Sequence, residues 1–409
     1  MQMKKILSFL IVVAAISSCT TSRYNETFNL NPTNSSLTFY LDNSSDSLVL
    51  WAVNDLADDI MSITGKRPEI IYSDTIAGPG IYVSMSGGNL ITAFKNSGID
   101  SLEGKWEHFH LDILDDKVII AGSDIRGTVY GIFDVAERIG ISPWKWWADV
   151  TPLPASSLQL ELPQQGVSEG PSVKYRGIFI NDEDWGMQPW AAKTFEPETG
   201  DIGPKTYEKI FQLLLRLKAN TIWPAMHPCT RAFYQVPGNN EMAGKYHIVV
   251  GTSHCEPMLR NNVDEWDKDA YGDYNFFTNS GSVCNYWQER IDQVSGLENI
   301  ITLGMRGVHD GRMEGGGSMQ EQVAKTEEIM GVQRSMLSGS KEIPLESIPQ
   351  TIVLYKEVLD LYNLGMDVPE DVTLMWCDDN YGYIRRLSDE AEQQRSGGSG
   401  VYYHLSYWG

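Results

Sequence analysis

The sequence predicts an α/β protein in which a two-layer α/β domain precedes a (β/α)8 barrel of the TIM type that lacks its last strand. Three observations lead to this prediction. Strand and helix signals alternate through the second half of the chain, the strands there are nearly continuous apolar runs, and polar residues cluster directly after each run. Buried parallel strands joined by helices have this pattern. A barrel places its functional residues at the carboxyl ends of such strands.

A doubly wound open sheet is the alternative architecture. It would bind a phosphate in a glycine-rich loop after its first strand, and the sequence has no such loop at that position. The barrel is therefore the favoured prediction.

The amino terminus reads as an export signal. Two lysines precede an apolar run over residues 6–16, which is too short to span a bilayer permanently. The run leads into Ile16-Ser17-Ser18-Cys19, which resembles a bacterial lipobox. We therefore expect a lipoprotein signal peptide over residues 1–18, with Cys19 acylated, and a tether over residues 19–36. An ordinary cleaved signal peptide is the alternative, and both predict export, to the periplasm or outer membrane of a Gram-negative bacterium.

Residues 37–165 are predicted to form the α/β domain. Apolar residues at helical spacing predict a helix over residues 45–64, which Gly65 ends. A hairpin is predicted around Asp115-Asp116. Two further strands are expected at residues 37–40 and 81–85, and a helix at 128–139. A segment rich in Gln, Gly, Ser and Pro follows, and we place a domain boundary there.

Residues 171–409 are predicted to form the barrel. Apolar runs predict seven strands, at residues 175–181, 221–226, 247–251, 299–303, 348–354, 372–376 and 401–405. Helical patterns lie between them, at residues 204–218, 283–294, 319–336 and 356–361. No eighth strand follows the seventh. Because an open barrel leaves unpaired strand edges, we expect the chain alone to be unstable or inactive.

Composition narrows the class of function. The formal net charge of -22 argues against nucleic acid as a partner, because phosphate binding needs clustered Lys and Arg. The 12 Trp, 19 Tyr and 12 Phe suit sugar stacking, although aromatic rings also fill cores. The remaining cysteines fit no zinc spacing, so we predict buried free thiols, no metal and no other cofactor. These cysteines are Cys229, Cys255, Cys284 and Cys377.

Candidate site residues follow the first three predicted strands. The first strand runs into an acidic segment that contains Asp184 and Trp185, and the second ends at Trp223. An acidic loop that caps a helix is the structural alternative for the first segment. His254 and Glu256 follow the third strand, and one histidine with one carboxylate does not define a metal site.

The later strands supply the remaining candidates. Arg306, four residues before Asp310, offers a planar fork for a carboxylate, although it could also pair with a neighbouring acid of the barrel. Glu357 could point into the barrel mouth or be a first-turn glutamate favoured by the helix dipole. Asp378, Asn380, His404 and Tyr407 follow the last two strands. Two carboxylates on either side of a glycosidic bond can hydrolyse it, one as general acid and the other as base or nucleophile.

The longer motifs resemble glycoside hydrolase family 115. They are Asn181-Asp182-Glu183-Asp184-Trp185-Gly186, Trp223-Pro224-Ala225-Met226-His227, Gly251-Thr252-Ser253-His254-Cys255-Glu256-Pro257 and Trp376-Cys377-Asp378-Asp379-Asn380-Tyr381-Gly382. The resemblance implies a xylan α-1,2-glucuronidase that removes glucuronic acid, or its 4-O-methyl form, from glucuronoxylan or aldouronic acids with inversion. It also implies that the first domain is accessory to the barrel, and that full-length relatives dimerise through domains absent here.

The resemblance also implies roles for the candidates. The catalytic carboxylates are expected among Asp184, Asp310, Glu357 and Asp378, with Asp310 as general acid and Glu357 as base. Arg306 is expected to bind the uronate carboxylate. The other expected substrate contacts are Trp185, Trp223, His254, Glu256, Asn380, His404 and Tyr407. Two other functions stay open: a non-catalytic sugar-binding surface lipoprotein, and a different exo-acting glycosidase such as a hexosaminidase.

Overall fold

The computed structural model describes residues 25–92, 94, 98–340 and 343–405. Its strands are β1 (Asn25–Asn29), β2 (Thr38–Leu41), β3 (Glu69–Tyr72), β4 (Gly80–Met85), β5 (Phe109–Leu114), β6 (Lys117–Gly122), β7 (Gln159–Pro163), β8 (Val167–Glu169), β9 (Gly177–Phe179), β10 (Thr221–Trp223), β11 (Val249–Val250), β12 (Ile301–Thr302), β13 (Gln350–Leu354), β14 (Thr373–Cys377) and β15 (Ser399–Tyr402). Its α-helices are α1 (Ser47–Thr64), α2 (Asn89–Thr92), α3 (Ile125–Arg138), α4 (Met187–Trp190), α5 (Pro204–Arg216), α6 (Asn239–Lys245), α7 (Lys268–Tyr271), α8 (Phe276–Gln293), α9 (Met319–Ser340) and α10 (Glu357–Asn363).

A mixed sheet of six strands organises the first part of the chain. The strand order is β3-β2-β4-β6-β5-β8, in which the first four strands are parallel and the last two pair antiparallel. Helices α1 and α3 pack against each other and bury their apolar faces with the sheet in the main core. Asp46 caps the start of α1 by accepting a hydrogen bond from Leu48 N, and Gly65 ends it with φ 73°.

Two strands lie where the composition predicts a tether and a linker. β1 falls within the predicted tether and pairs antiparallel with β7, whose Leu160 and Leu162 are fully buried. β8 falls within the predicted linker and pairs with β5. Both are short and mostly polar, so they lack the alternation by which strands are recognised. Their partners' backbone hydrogen bonds, which the sequence does not reveal, decide their conformation.

Seven parallel strands organise the second part of the chain. β9, β10 and β11 form one sheet, and β12, β13, β14 and β15 form another. A parallel bridge between Val250 and Asn299 links the two. Neighbours in space are therefore neighbours in sequence, without the reversal of strand order that a doubly wound sheet has. All seven strands fall within the predicted runs or overlap them, but β11 and β12 contain only two residues each.

The two ends of this series of strands approach each other. The ring of Phe179 in β9 lies 5.7 Å, centroid to centroid, from the ring of Tyr402 in β15. Trp223 of β10 contacts both rings, at 5.5 and 5.3 Å. With Val353 and its neighbours these rings form a separate apolar cluster on the inner side of the strands.

Helices occupy the predicted intervals between these strands, with one boundary displaced. α8 begins at Phe276, seven residues before the predicted start at 283. Asn275 caps its first turn, and a kink at Asn279 breaks the regular spacing of apolar residues. None of the helices in the described ranges is both long and apolar enough to cross a bilayer.

Buried ion pairs join the first part of the chain to the second. Glu107 is fully buried and accepts hydrogen bonds from Arg126, Arg176 and Asn220. Arg126 also donates through Nη1 to Glu298, at 2.9 Å. Residues far apart in sequence thus neutralise each other in one place, which fixes the two parts against each other.

Candidate active site

The candidate residues lie in the loops that follow the parallel strands. Each of the seven strands is followed within a few residues by a polar segment, as the sequence predicts. Because all seven strands run the same way, these segments meet at one edge. Side chains from the loops after β11, β12, β13, β14 and β15 contact one another there. Arg306, in the loop after β12, is the residue to which most of those contacts lead.

Arg306 is buried, with only 3% of its surface exposed. Its Nε and Nη2 donate to the two oxygens of Glu357, at 2.8 and 2.9 Å, in a bidentate pair. Its Nη1 donates to Asp310 and also lies 3.8 Å from the Cys255 sulfur. Each guanidinium nitrogen is therefore already engaged. Glu357 is the first residue of α10, which is the structural alternative given for it above. Arg306 pairs with this neighbouring acid, which is the structural alternative given for Arg306.

Asp310 accepts hydrogen bonds from three basic side chains. Arg306 and His254 bond to its Oδ1, and Lys356 bonds to its Oδ2. Burial alone would raise the pKa of Asp310, but the hydrogen bonds from His254, Lys356 and Arg306 outweigh it and hold this pKa well below its usual range. Asp310 is therefore ionised in this arrangement.

His254 is a neutral donor to Asp310. Burial and the charge of Arg306 lower the pKa of His254 to about 4, against the opposing effect of Asp310. Its Nε2 lies 3.3 Å from Asp310 Oδ1, and its Nδ1 is buried without a hydrogen-bond partner. The tautomer with the proton on Nε2 satisfies this geometry, because a protonated Nδ1 would be a buried donor without an acceptor.

Asp378 and His404 form a second group beside the first. Asp378 Oδ1 accepts from His404 Nδ1 at 2.7 Å and from the His404 backbone N–H at 3.1 Å. Burial opposes ionisation of Asp378, but these hydrogen bonds lower its pKa. The carboxylate side chain is fully buried, so it orients His404. Tyr402 OH lies 2.8 Å from His404 Nε2, which fixes the other side of the imidazole.

Tyr355 connects the two groups. Its ring centroid lies 4.3 Å from that of His254 and 6.2 Å from that of His404. Its hydroxyl donates to Asn380 Oδ1 at 2.9 Å, so Asn380 takes part in the site through Tyr355. Tyr355, Tyr402 and Lys356 were not among the residues expected from the sequence. Lys356 is adjacent to Glu357, which was expected. Tyr355 stands two residues before Glu357, and Tyr402 stands two residues before His404, which was also expected.

The loop after β9 contributes an exposed rim. Asp184 is exposed, and within the described part of the chain its carboxylate accepts no hydrogen bond and forms no ion pair. Trp185 is 69% exposed. The neighbouring Glu183 is buried instead, and its Oε1 accepts from His227 N at 2.7 Å and Thr230 Oγ1 at 3.0 Å. Within this acidic segment, Glu183 thus forms structural hydrogen bonds, whereas Asp184 is an exposed acid.

Two expected substrate contacts lie inside the protein. Trp223 is 7% exposed and packs among Phe179 and Tyr402 in the inner cluster. Glu256 is fully enclosed, and burial raises its pKa to about 8, so it is protonated at neutral pH. Ser253 Oγ, at 3.2 Å, is its side-chain partner. Trp223 thus lies among aromatic rings and Glu256 is buried beside Ser253, and their positions in the motifs do not reveal either environment. Cys19 and Tyr407, also predicted, lie outside the described residues.

One group of potential metal ligands overlaps the site. Ligand atoms of His254, Cys255 and Asp310 lie within 4.8 Å of one another. The guanidinium of Arg306 contacts both the sulfur and the carboxylate of this group, so a cation is already present there. The four cysteines beyond Cys19 are free, as predicted, and two of them are buried, but Cys229 is exposed because it lies in a surface loop.

A small cavity of about 20 Å³ adjoins the Arg306 group. Its lining includes His254, Arg306 and Glu357 of the site, together with apolar residues of β13, α10 and the loop after β12. This volume holds about one water molecule.

Comparison with known proteins identifies the family. A family model described as glycosyl hydrolase family 115 matches residues 168–409, which is more than half of the chain. The chain belongs to this family. A solved family 115 structure, titled as a 4-O-methyl-α-glucuronidase with specificity for decorated arabinogalactans, is 43% identical in sequence and superposes with a TM-score of 0.85. The match covers 93% of this chain and 50% of the other, so this family 115 chain spans about half the length of that relative.

Other comparisons add little. A family 138 enzyme targeting pectin rhamnogalacturonan II is 14% identical, with a TM-score of 0.46 over 84% of this chain and 38% of that one. The structure of CpGH84D is 12% identical, with a TM-score of 0.48 over 91% and 56%. At these values neither supports an argument about this protein. No curated protein sequence matches the chain.

Proposed function

We propose that the protein is an α-glucuronidase that releases glucuronic acid, or its 4-O-methyl form, from a plant polysaccharide. The observation that carries the proposal is the 43% identity to a family 115 4-O-methyl-α-glucuronidase over 93% of this chain. The site supports it with two carboxylates, Asp310 and Glu357, and two cations, Arg306 and Lys356, in the loops after the strands, a set that suits hydrolysis of an anionic sugar.

The test is release of uronic acid by the full-length protein and by its Glu357→Gln variant. We expect the variant to lose about 100- to 10,000-fold in kcat, the usual worth of a general acid or base. A glutamine can still accept from Arg306, so the thermal unfolding midpoint should change by only a few degrees. Binding of oligosaccharide without any release of uronic acid by the wild type would instead support the sugar-binding lipoprotein.

We infer two candidate substrates. The motif resemblance favours glucuronoxylan with α-1,2-linked uronic acid, and the relative's specificity favours decorated arabinogalactan. Parallel digestions of both polysaccharides, with the released acids separated by chromatography, distinguish them. Release from neither would contradict both. Proton NMR of the first anomer formed tests the proposal that the reaction inverts configuration.

The arrangement of acids favours a different division of roles from the one expected. A general acid must carry a proton, but three hydrogen bonds hold the pKa of Asp310 well below its usual range. Arg306 donates to both oxygens of Glu357, which leaves neither free to protonate a leaving group. We therefore propose Asp184 as general acid, with the base supplied by Asp310 or Glu357.

We also propose the larger architecture. Seven parallel strands in chain order, with helices between them and Phe179 against Tyr402, support a (β/α)8 barrel over residues 171–409. The accessory domain predicted over residues 37–165 also takes in β1 and β8, which pair with its strands. The sequence around Cys19 supports export as a lipoprotein. Labelling with radioactive palmitate, lost in a Cys19→Ala variant, tests the anchor.

A further inference from the structure

The accessible positive charge of the site is on Lys356. Arg306, the expected partner of a uronate carboxylate, is almost fully buried, and Glu357, Asp310 and Cys255 already engage its three nitrogens. These contacts use four of the five N–H donors of Arg306, and a residue that is only 3% exposed presents little surface to a substrate carboxylate. Lys356 lies on the outer side of Asp310, and 45% of its side chain is exposed.

The ammonium group of Lys356 has donors to spare. It bonds to Asp310 Oδ2 and lies 4.9 Å from the ring centroid of Tyr355. An ammonium carries three N–H donors, so it can bind a second carboxylate while it keeps Asp310. Burial disfavours its charge, but the contacts with Asp310 outweigh burial and raise the pKa of Lys356, which keeps it cationic at neutral pH.

The backbone at Lys356 provides independent support. Its φ of 49° and ψ of -121° are a conformation that glycine adopts readily and other residues rarely do. A non-glycine residue there costs about 1–3 kcal/mol, and such strain gathers at functional sites. Glycine would relieve it but would remove the ammonium. A lysine at this position indicates that the side chain is needed.

We propose that Lys356 recognises the carboxylate of the uronic acid and thereby sets the preference of the site for an acidic over a neutral sugar. This inference rests on the proposed function. Under this proposal, Arg306 is a positioning residue that holds Glu357 and Asp310. Lys356 is the residue that contacts the carboxylate of the substrate.

The experiment compares the full-length wild type with Lys356→Met on an aryl α-glucuronide and on the matching aryl α-glucoside, in which CH2OH replaces the carboxylate. We expect the variant to lose about 100-fold in kcat/KM on the glucuronide, the worth of a hydrogen-bonded charge pair, and less than about 3-fold on the glucoside. Lys356→Arg should keep most of the preference. Lys356→Gly should lose it while folding at least as stably as the wild type.

Arg312→Met is the matched control, because Arg312 is an exposed cation in the same region. It should leave both substrates unaffected, whereas general attraction of anions would make it behave like Lys356→Met. Equal loss on both substrates would mean that Lys356 acts only through Asp310, and an unchanged preference would mean that it does not contact the uronate. Either result overturns the inference.

Calorimetric titration with free glucuronate and glucose separates this inference from the proposed function. A wild type that cleaves no glucuronide, but binds glucuronate through Lys356, would contradict the function and leave the recognition in place. A Lys356→Met variant that cleaves glucuronides as well as the wild type would contradict the recognition and leave the proposed function in place. If glucuronate binds neither the wild type nor the variant, the inference fails.

Discussion

Asp184 and Asp310 are both aspartates that follow strand ends, yet their surroundings differ. Asp310 is held by His254, Lys356 and Arg306, whereas Asp184 is exposed at the rim. The sequence places both correctly after their strands but does not tell which is paired. The pairing of Asp310 depends on Arg306 of its own loop and on side chains from two other loops, and only the fold brings those together.

The first prediction concerns Asp184. If it is the general acid, Asp184→Asn should reduce kcat on a xylan or arabinogalactan oligosaccharide by about 100- to 10,000-fold. An aryl glucuronide with an acidic leaving group needs little protonation, so its hydrolysis should fall by less than about 10-fold. The measurement is kcat on both substrates. Asp379→Asn, which changes an acid in another loop of the same edge, serves as the control. Equal losses of kcat on the two substrates for Asp184→Asn would show that Asp184 is not the general acid.

The second prediction concerns Glu256. Burial raises the pKa of Glu256 in the folded protein from 4.5 to about 8. Between pH 4.5 and pH 8, Glu256 is therefore protonated in the folded protein and ionised in the unfolded chain. The unfolding free energy should therefore fall as pH rises from about 4.5 to 8, by up to about 1.4 kcal/mol per pH unit. Glu256→Gln should remove this dependence and be more stable than the wild type at pH 8.

Urea unfolding at several pH values between 5 and 9 measures the effect. Glu241→Gln, at an exposed position, should follow the wild type. Parallel curves for the wild type and Glu256→Gln would show that Glu256 does not titrate in this range.

At the scale of elements, helix α5 shows how a distant residue completes a local structure. Its N-cap, Gly203, has no side chain, and Glu196 takes over the capping. Glu196 Oε2 accepts from Thr206 N and Thr206 Oγ1, both at 3.0 Å, and Oε1 accepts from Lys205 N at 3.2 Å. A carboxylate there also opposes the positive end of the helix dipole.

The third prediction follows from this cap. Glu196→Ala removes acceptors from buried donors, so we expect the unfolding free energy to fall by about 2–4 kcal/mol. The neighbouring Glu198 pairs with Lys205 at the surface, and Glu198→Ala should leave the unfolding free energy nearly unchanged, because solvent screens an exposed ion pair. Denaturant unfolding of both variants provides the comparison. A loss of the same size in each would show that the cap contributes no more than a surface charge.

Elements with strong periodicity were predictable, and elements defined by their partners were not. The apolar spacing of α1 and Gly65 after it predict that helix almost to the residue. β3, an exposed edge strand, and α6, a short helix that begins with two asparagines, carry no comparable signal. The fold class and the order of the parallel strands follow from the repeated pattern. The runs that predict β9, β10, β11 and β12 continue past the strand ends into loops of the site, whereas β13 ends at the last residue of its run.

At the scale of the whole molecule, Glu107 ties the six-stranded sheet to the parallel strands. It is buried in a left-handed conformation at φ 53° and is shared by Arg126, Arg176 and Asn220. Each of these residues stands in a segment whose local pattern predicts only its own element. A shared carboxylate between distant segments is therefore beyond what periodicity can reveal.

The fourth prediction is that Glu107→Ala destabilises both parts at once. Removing one partner of a buried network leaves uncompensated guanidinium charge, at a cost of about 3–5 kcal/mol. Differential scanning calorimetry should show the main transition moved down, or divided into two. Glu137→Ala, which loses an exposed contact with Lys218, is the control and should leave the transition in place. An unchanged melting profile for Glu107→Ala would mean that the two parts are held by apolar contacts alone.

The loops that meet around Arg306 determine the order in which the site can assemble during folding. His254 follows β11, Arg306 and Asp310 follow β12, Glu357 follows β13, and the Asp378–His404 pair closes only when β15 lies beside β14. Parallel strands must wait for the chain between them, so such contacts form late and slowly. A ribosome delivers these segments one after another, and no early part holds a complete set. The group of side chains around Arg306 and Asp378 is therefore brought together only after β15 has docked.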